Sequence, residues 1–219
     1  TNWNNKLDSY TETDPIFGAS VASGITGTDT TNWNNKQDQL VAGTNITIVG
    51  NTISATSGGS TLAIGDSYQG GIIFWLDATG QHGLIAATAD QSTVIQWYNG
   101  TYRYTGTAGD GLYAGAMNTA MIVATQMADD QSGSFAAKVC ADYSVTVGGV
   151  TYGDWYLPSK YELNLLYLQK NAVGGFSSAY YWSSTEASNY LAWRQYFDLG
   201  SQYNSSKNST GKVRAVRAF

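Results

Sequence analysis

The hexapeptide Thr1-Asn2-Trp3-Asn4-Asn5-Lys6 returns unchanged as Thr31 to Lys36, a period of 30 residues that includes a tryptophan. Self-similarity at a fixed period marks units that cannot bury their apolar faces alone and stack against neighbours. Two copies are too few and too polar for a solenoid, so the neighbours are other chains. Composition agrees. Of the first 60 residues 18 are hydrophobic, about 30%, against about 47% of the remainder. The first part is too poor in apolar residues to fold alone, whereas the second can bury an ordinary core.

Local signals in the first part are those of short elements with thin apolar faces. Asp14-Pro15 starts a helix, with Asp as N-cap and Pro at the first helical position. Phe17, Val21 and Ile25 follow at spacing four, and Gly24 and Gly27 close the stretch. Asp29 or Thr30 caps a second short helix carrying Trp33. Ile46 and Ile48 then alternate with polar residues, and Gly50-Asn51 is placed as a hairpin turn before Thr52-Ile53. These elements fit an extended, homotrimeric rod over residues 1–56, joined by a Gly/Ser hinge at 57–61 to a domain at 62–219. A flexible linker is the plainer alternative for the same composition. The two hexapeptides, with Gln39-Leu40-Val41-Ala42-Gly43-Thr44-Asn45-Ile46-Thr47-Ile48, resemble the shaft repeats of phage tail fibres and trimeric surface adhesins. The chain opens on Thr1 without Met or signal peptide, which reads as an excised or processed fragment.

Charge and cysteine content exclude several functions. Net charge is -5 and charged residues make up 12%, the wrong footprint for nucleic acid. One Cys forbids an internal disulfide or a four-cysteine zinc site. No apolar run approaches the roughly 18 residues of a membrane span.

From Leu62 the pattern is α+β. Gly70 to Leu76 reads as a buried strand, Asp77 to Gly83 as a turn, and Leu84 to Ala87 as the partner strand. A helix capped by Asn118 or Thr119 runs to about Asp129, with Met121, Ala124 and Ala128 on one face. A second holds Ala136, Val139 and Cys140. A third opens on the capping box Ser159-Lys160-Tyr161-Glu162, with Leu163, Leu166 and Tyr167 inward. Strands follow at 180–184, 192–197 and 213–219. The segments Asp154 to Leu163, Tyr181-Trp182-Ser183-Ser184-Thr185-Glu186 and Val213 to Phe219 resemble a bacterial and phage branch of the C-type lectin fold. Gly70 to Phe74 and Gly80 to Ala86 extend the resemblance. That branch includes the C-terminal domain of the Legionella collagen-like adhesin and the variable proteins of diversity-generating retroelements.

In retroelement targets, the resemblance implies, template adenines are randomised, so Asn codons become variable. Changing their first two bases cannot reach Trp, Gln, Lys, Glu or Met. Between Ala187 and Gly211 the residues outside the reachable set are Trp193, Gln195, Gln202 and Lys207. They stand singly among reachable ones: Ala187, Asn189, Tyr190, Leu191, Arg194, Tyr196, Asp198, Leu199, Ser201, Tyr203, Asn204, Ser205, Ser206, Asn208 and Ser209. Tyr and Arg supply contact area, Ser and Asn adaptable hydrogen bonds. Period two through Trp193, Gln195 and Phe197 points Arg194, Tyr196 and Asp198 to the other face, if no bulge intervenes. Trp155, Trp182, Trp193 and Phe197 are the expected framework. The ligand-binding set is Asn189, Tyr190, Arg194, Tyr196, Asp198, Ser201, Tyr203, Asn204, Ser205, Ser206 and Asn208. A solvated polar hairpin on an ordinary lectin-like domain is the alternative.

Other sites are weaker. His82, in Gly80-Gln81-His82-Gly83, has no nucleophile elbow beside it and reads as a turn residue. Cys140 reads as a buried small residue. The formylglycine-generating oxidases of the same fold use paired cysteines, so no enzymatic activity is expected. No cofactor or metal is expected either; calcium through Asp110, Asp129 and Asp130 is the minor alternative. The Gly106 to Gly111 stretch lacks a Lys for phosphate. Lys207, Lys212, Arg214 and Arg217 lack acids nearby in sequence, and structural salt bridges are their blander reading. The chain is therefore expected to be the receptor-binding tip of a phage tail fibre. It would form a homotrimer, bind a host or cell-surface glycan or protein, touch no nucleic acid, insert in no membrane, and sit on the virion or at a cell surface. A bacterial surface adhesin with a non-diversified, lectin-like glycan-binding domain is the first alternative, and a formylglycine-oxidase-like enzyme, against which the lone Cys counts, is the second.

Overall fold

Residues 24–37, 42–43, 46–49, 52–55 and 61–219 are described by a computed structural model. The chain divides into two units, Thr1–Ser60 and Thr61–Phe219.

In the first unit, helix α1 spans Gly27–Gln37. Its cap is Thr26, not Asp29 or Thr30. The Thr26 hydroxyl accepts from the Asp29 amide at 3.3 Å, and the Asp29 carboxylate accepts from the Thr26 amide at 2.8 Å. This reciprocal box satisfies two otherwise orphaned amides and moves the helix start at least three residues earlier than expected. Strands β1 (Ile46–Val49) and β2 (Thr52–Ala55) pair antiparallel, with Ile48 opposite Ile53 and Val49 opposite Thr52. The apolar side chains of Ile25, Trp33, Ile46, Val49 and Ile53 are exposed in the single chain. The expected helix after Pro15, the first hexapeptide and residues 57–60 of the hinge lie outside the described residues.

The second unit is mixed α+β, with more sheet than helix. Strands β3 (Ser67–Tyr68), β4 (Gly71–Leu76), β5 (Gly83–Ala87) and β13 (Val216–Ala218) form an antiparallel sheet in the order β13-β5-β4-β3. A second sheet has the order β11-β10-β9-β12-β6. Its strands are β6 (Ser92–Gln96), β9 (Tyr180–Glu186), β10 (Leu191–Tyr196), β11 (Gln202–Ser206) and β12 (Thr210–Val213). Only β9 and β12 run parallel in it. Strands β7 (Val145–Val147) and β8 (Val150–Tyr152) form a separate hairpin. Its turn is Gly148-Gly149, both at positive φ, as a tight two-residue hairpin turn demands.

Strand β4 supplies two cores. Successive side chains of a strand point to opposite faces. Ile73 therefore joins Trp97, Ile122, Trp155 and Trp182 on one side. Phe74 joins Leu84, Leu163, Leu166, Tyr181 and Phe197 on the other.

Four helices complete the unit: α2 (Ala114–Met127), α3 (Ala136–Ala141), α4 (Lys160–Leu168) and α5 (Lys170–Val173). Helix α4 opens on the expected capping box of Ser159 and Glu162. Helix α2 starts earlier than the expected Asn118 or Thr119. Its preceding residue, Tyr113, has a left-handed backbone, and the Tyr113 amide donates to Glu162 at 2.7 Å. One carboxylate thus serves the N-termini of two helices.

The expected inner face of α2 is reversed. Met121 and Ala124 are exposed, and Ala128, past the helix end, is exposed too; Gly115, Asn118, Thr119, Ile122 and Gln126 are buried. These polar side chains hold loops rather than solvent. Asn118 donates to the Gly109 carbonyl at 2.7 Å, Thr119 accepts from the Leu157 amide at 3.0 Å, and Gln126 accepts from the Asn99 amide at 2.8 Å.

Candidate ligand-binding face

Strands β9, β10 and β11 place Arg194 between Trp182 and Tyr203 in register, and Tyr196 opposite Tyr180. The Arg194 guanidinium lies 4.0 Å from the Tyr180 ring centroid and 5.6 Å from that of Trp182. Tyr180 and Tyr196 have centroids 4.9 Å apart, and Tyr203 meets Tyr180 edge-on at 6.3 Å. Burial holds the Arg194 pKa below its ordinary value. Its Nε is closed off from solvent without an acceptor. No carboxylate pairs with Arg194 among the described residues. Beside Tyr180 and Tyr196 a shallow depression of about 380 Å³ is rimmed by Thr93, Ser178, Thr210 and Lys212.

The opposite side chains of β10 and β11 pack towards α4. Gln195 donates to Asn164 at 2.8 Å and to the Gly200 carbonyl at 2.9 Å, and Gln202 donates to the Lys160 carbonyl at 2.8 Å. The alternation expected from Trp193 to Phe197 therefore runs as drawn. A bulge does occur, but the extra residues belong to β9. Ser183, Ser184 and Thr185 stand between the pairs Trp182↔Arg194 and Glu186↔Ala192, against Trp193 alone on β10. The spare β9 backbone bonds elsewhere, with the Ser184 amide donating to the Pro158 carbonyl.

Trp155, Trp182 and Phe197 are buried as framework. Trp193 is not. It is half-buried with the Lys160 ammonium 4.2 Å over its ring, because its place in the sheet faces the start of α4 and not a core.

The expected binding residues fall into separate groups. Arg194, Tyr196 and Tyr203 come together around Tyr180. Tyr190 meets Tyr102 edge-on at 5.1 Å, and Tyr102 lies tilted against Tyr98 at 4.7 Å. The Tyr102 hydroxyl is 3.2 Å from that of Ser206. Asn189 and Asn208 lie in the two turns at that end of the strands, and the Asn208 carbonyl accepts from Gln96. Asp198 and Ser201 lie in the turn at the other end, Asp198 3.4 Å from the Ser178 hydroxyl. Asn204 stands opposite Trp193 and Ser205 opposite Ala192. Sequence reasoning missed Tyr180, which shares strand parity with Trp182 and could have been found by it. It also missed Tyr98 and Tyr102, which reach the site through tertiary pairing with no local signal.

The frame beneath is ionic. Lys207 is fully buried, pairs with Glu186 and donates to the Arg103 carbonyl at 2.8 Å. Glu186 also accepts from the Thr105 and Gly106 amides at 3.0 Å. Burial lowers the Lys207 pKa against the opposing pull of Glu186. Lys207 is thus a buried, structural charge. The terminal basic residues do have acids: Asp90 for Lys212 and Arg214, and Asp154 for Arg217. Long-range sheet pairing supplies them, so the structural-salt-bridge reading is the right one.

The Lcl C-terminal domain family matches residues 86–217, from β5 to β13. The chain belongs to this family. Every residue of the Arg194 face, and the Lys207–Glu186 pair, lies within the Lcl segment. No curated protein matches the chain. Among solved structures, a fimbrial protein from Bacteroides ovatus ATCC 8483 is similar over 74% of this chain and 46% of its own, at 16% identity and a TM-score of 0.44. The chain thus spans less than half of that protein's length.

The Lcl domain scatters the three acids considered for calcium. Asp129 takes Arg103 in a two-pronged pair, Asp130 closes a turn with Ser132, and Asp110 faces Lys160 at 3.3 Å. Among the described residues no group of three His, Cys, Asp or Glu is placed to hold a metal. His82 is exposed in a turn whose polar bonds come from Asp77, which accepts from the Thr79 amide and hydroxyl. Cys140 is buried, and burial pushes its thiol pKa up, away from reactivity.

Proposed function

We propose that this chain is the receptor-binding part of a surface adhesin, and that the Arg194 face of its Lcl domain contacts the receptor. The observation that carries this is the cluster of Tyr180 and Tyr203, exposed, with Arg194 and Tyr196, half-buried, over an immobilised frame. Rings and a guanidinium provide contact area at low ordering cost. Family membership and the fimbrial neighbour's name accord with a place at a cell surface. No helix of the described residues is long and apolar enough to cross a membrane. The domain is read as C-type-lectin-like, free of catalytic activity, cofactor and nucleic-acid contact.

The finer reading is a homotrimeric phage tail fibre whose face is diversified by a retroelement. The exposed apolar residues of α1 and the β1–β2 hairpin support a shaft completed by other chains. Burial supports the diversification. Of the four residues outside the reachable codon set, Gln195 and Lys207 are fully buried, and Trp193 and Gln202 are half-buried. None of the reachable residues singled out above is buried. Ala192 and Phe197, reachable too, are core residues and would have to stay fixed. Three heads on one shaft would multiply weak contacts.

Adhesion of the full chain to its host cells tests the function. Replacing Arg194, Tyr196 and Tyr203 together by Ala should cut adhesion at least tenfold while leaving the melting temperature within a few degrees. Unchanged adhesion would move the site elsewhere. A trimer mass in solution is expected, and a monomer would remove the shaft. Substitutions spread evenly over sister genes would remove the diversification.

A further inference from the structure

Arg194 is the one described arginine that has neither a carboxylate nor a carbonyl partner. Arg103 has Asp129, Arg214 has Asp90 and three carbonyls, and Arg217 has Asp154. A guanidinium desolvated without a counterion is costly, and the cost is recovered when an anion arrives. Its planar fork matches a carboxylate through two parallel N–H···O bonds. With Nε shut off, the two terminal nitrogens are the ones left for that fork. Tyr180 and Trp182 hold the plane in place, so little ordering remains when a ligand binds.

The neighbouring depression gives the rest of the ligand. Tyr180 lines it, and the Arg194 guanidinium, itself outside the lining, lies 4.0 Å from the centroid of that same ring. Its rim is hydroxyl and backbone: Thr93, Ser178, Thr210 and Gly211, with the Tyr180 and Tyr196 rings at one side. Its size suits a single sugar ring better than a protein hot spot, which needs an apolar well for a large side chain. Lys212 on the rim is already paired with Asp90 at 3.2 Å, so Arg194 is the unspent cation.

We propose that the Arg194 face binds a sugar acid, with the ring in the Tyr180–Tyr196 depression and its carboxylate on Arg194. The inference rests on the receptor-binding reading of this face and adds the chemistry of the ligand.

Titration calorimetry of the full chain with galacturonate, galactose, N-acetylaspartate and sodium sulfate at fixed ionic strength tests it. Galacturonate should bind at least tenfold more tightly than galactose, and N-acetylaspartate and sulfate should not compete with it. Arg194→Gln should lose at least tenfold in galacturonate affinity, and Arg194→Lys, which keeps charge but not the fork, most of that. Val150→Thr, at an exposed position on the separate β7–β8 hairpin, should bind as the parent does, and an unchanged melting temperature shows that Arg194→Gln and Arg194→Lys keep the fold. Equal binding of galactose, full competition by sulfate, tighter binding of N-acetylaspartate, or an unaffected Arg194→Lys would each overturn the proposal. Loss of cell adhesion in the alanine variants without any galacturonate binding would sink the sugar acid and leave the adhesin reading standing. Unchanged adhesion would sink both.

Discussion

Two buried charged residues decide how the candidate face stays in place. Lys207 closes the end of β11 onto the loop at 103–106 by meeting Glu186, which the Thr105 and Gly106 amides already hold. Removing one member of such a pair strands the other charge in a dry site. Lys207→Met should therefore cost about 3–5 kcal/mol in denaturant unfolding. Restoring most of the loss by adding Glu186→Gln would show that the stranded carboxylate, not lost packing, is the cause. Glu162 behaves differently. Burial raises its pKa despite the amides of Ser159 and Tyr113 and the Tyr156 hydroxyl, which act the other way. The native state then binds the proton more tightly than the unfolded chain, so acid strengthens this contribution. The stability advantage of the parent over Glu162→Gln should grow as pH falls from 7 through the raised pKa. It should level off below about pH 4.3, the unfolded value. A constant gap across that range, measured by urea unfolding, would show that the carboxylate titrates normally.

At the level of elements, strands β9 and β12 are held by an indole laid over a glycine. The Trp182 Nε1 donates to the Ile95 carbonyl of β6 at 3.1 Å, reaching across β12. A Cβ on Gly211 would stand 2.8 Å from that nitrogen. Gly211→Ala should cost about 1–3 kcal/mol by thermal unfolding, whereas Gly153→Ala, with only Ser144 at 3.9 Å, should cost little. Such elements were unequally legible. The α4 capping box, β4, β5, β9 and β10 were readable because their signals are local: a box spacing, an apolar run, a period of two. Strand β11 was missed because Gln202 to Ser206 is polar throughout and owes its pairing to β10. The C-terminal strand was read as one piece. It breaks at Arg214-Ala215, which crosses from one sheet to the other. The face of α2 was inverted because its buried residues are hydrogen-bonding rather than apolar, and no hydrophobic period can report that. In the candidate site Arg194, Tyr196 and Tyr203 were reached through the codon set that the resemblance implies, and Arg194 and Tyr196 also through strand alternation. Tyr180 and the Tyr98–Tyr102 pair needed the fold.

At the scale of the molecule, each unit leaves different work undone. In the first, Trp33, Val49 and Ile53 show more than half their surface to solvent in the single chain, at 55%, 71% and 64%. That is an invitation to association. In the second, the apolar cores are closed, and the Arg194 guanidinium is left without an acceptor beside a group of rings. The residues that hold this second unit together and the residues proposed to meet a ligand are largely separate sets. The first set is Lys207, Glu186, Trp182, Gln195 and the Asp90 pairs. The second is Tyr190, Arg194, Tyr196, Tyr203 and their exposed neighbours. A domain divided in this way can be asked for new partners without being asked to fold again. Combinatorial replacement of Arg194, Tyr196, Tyr203 and Asn204 on β10 and β11, none of them buried, with the buried Lys207–Glu186 bond untouched, would turn the same strands into a binder library in which selection acts on affinity and hardly on stability.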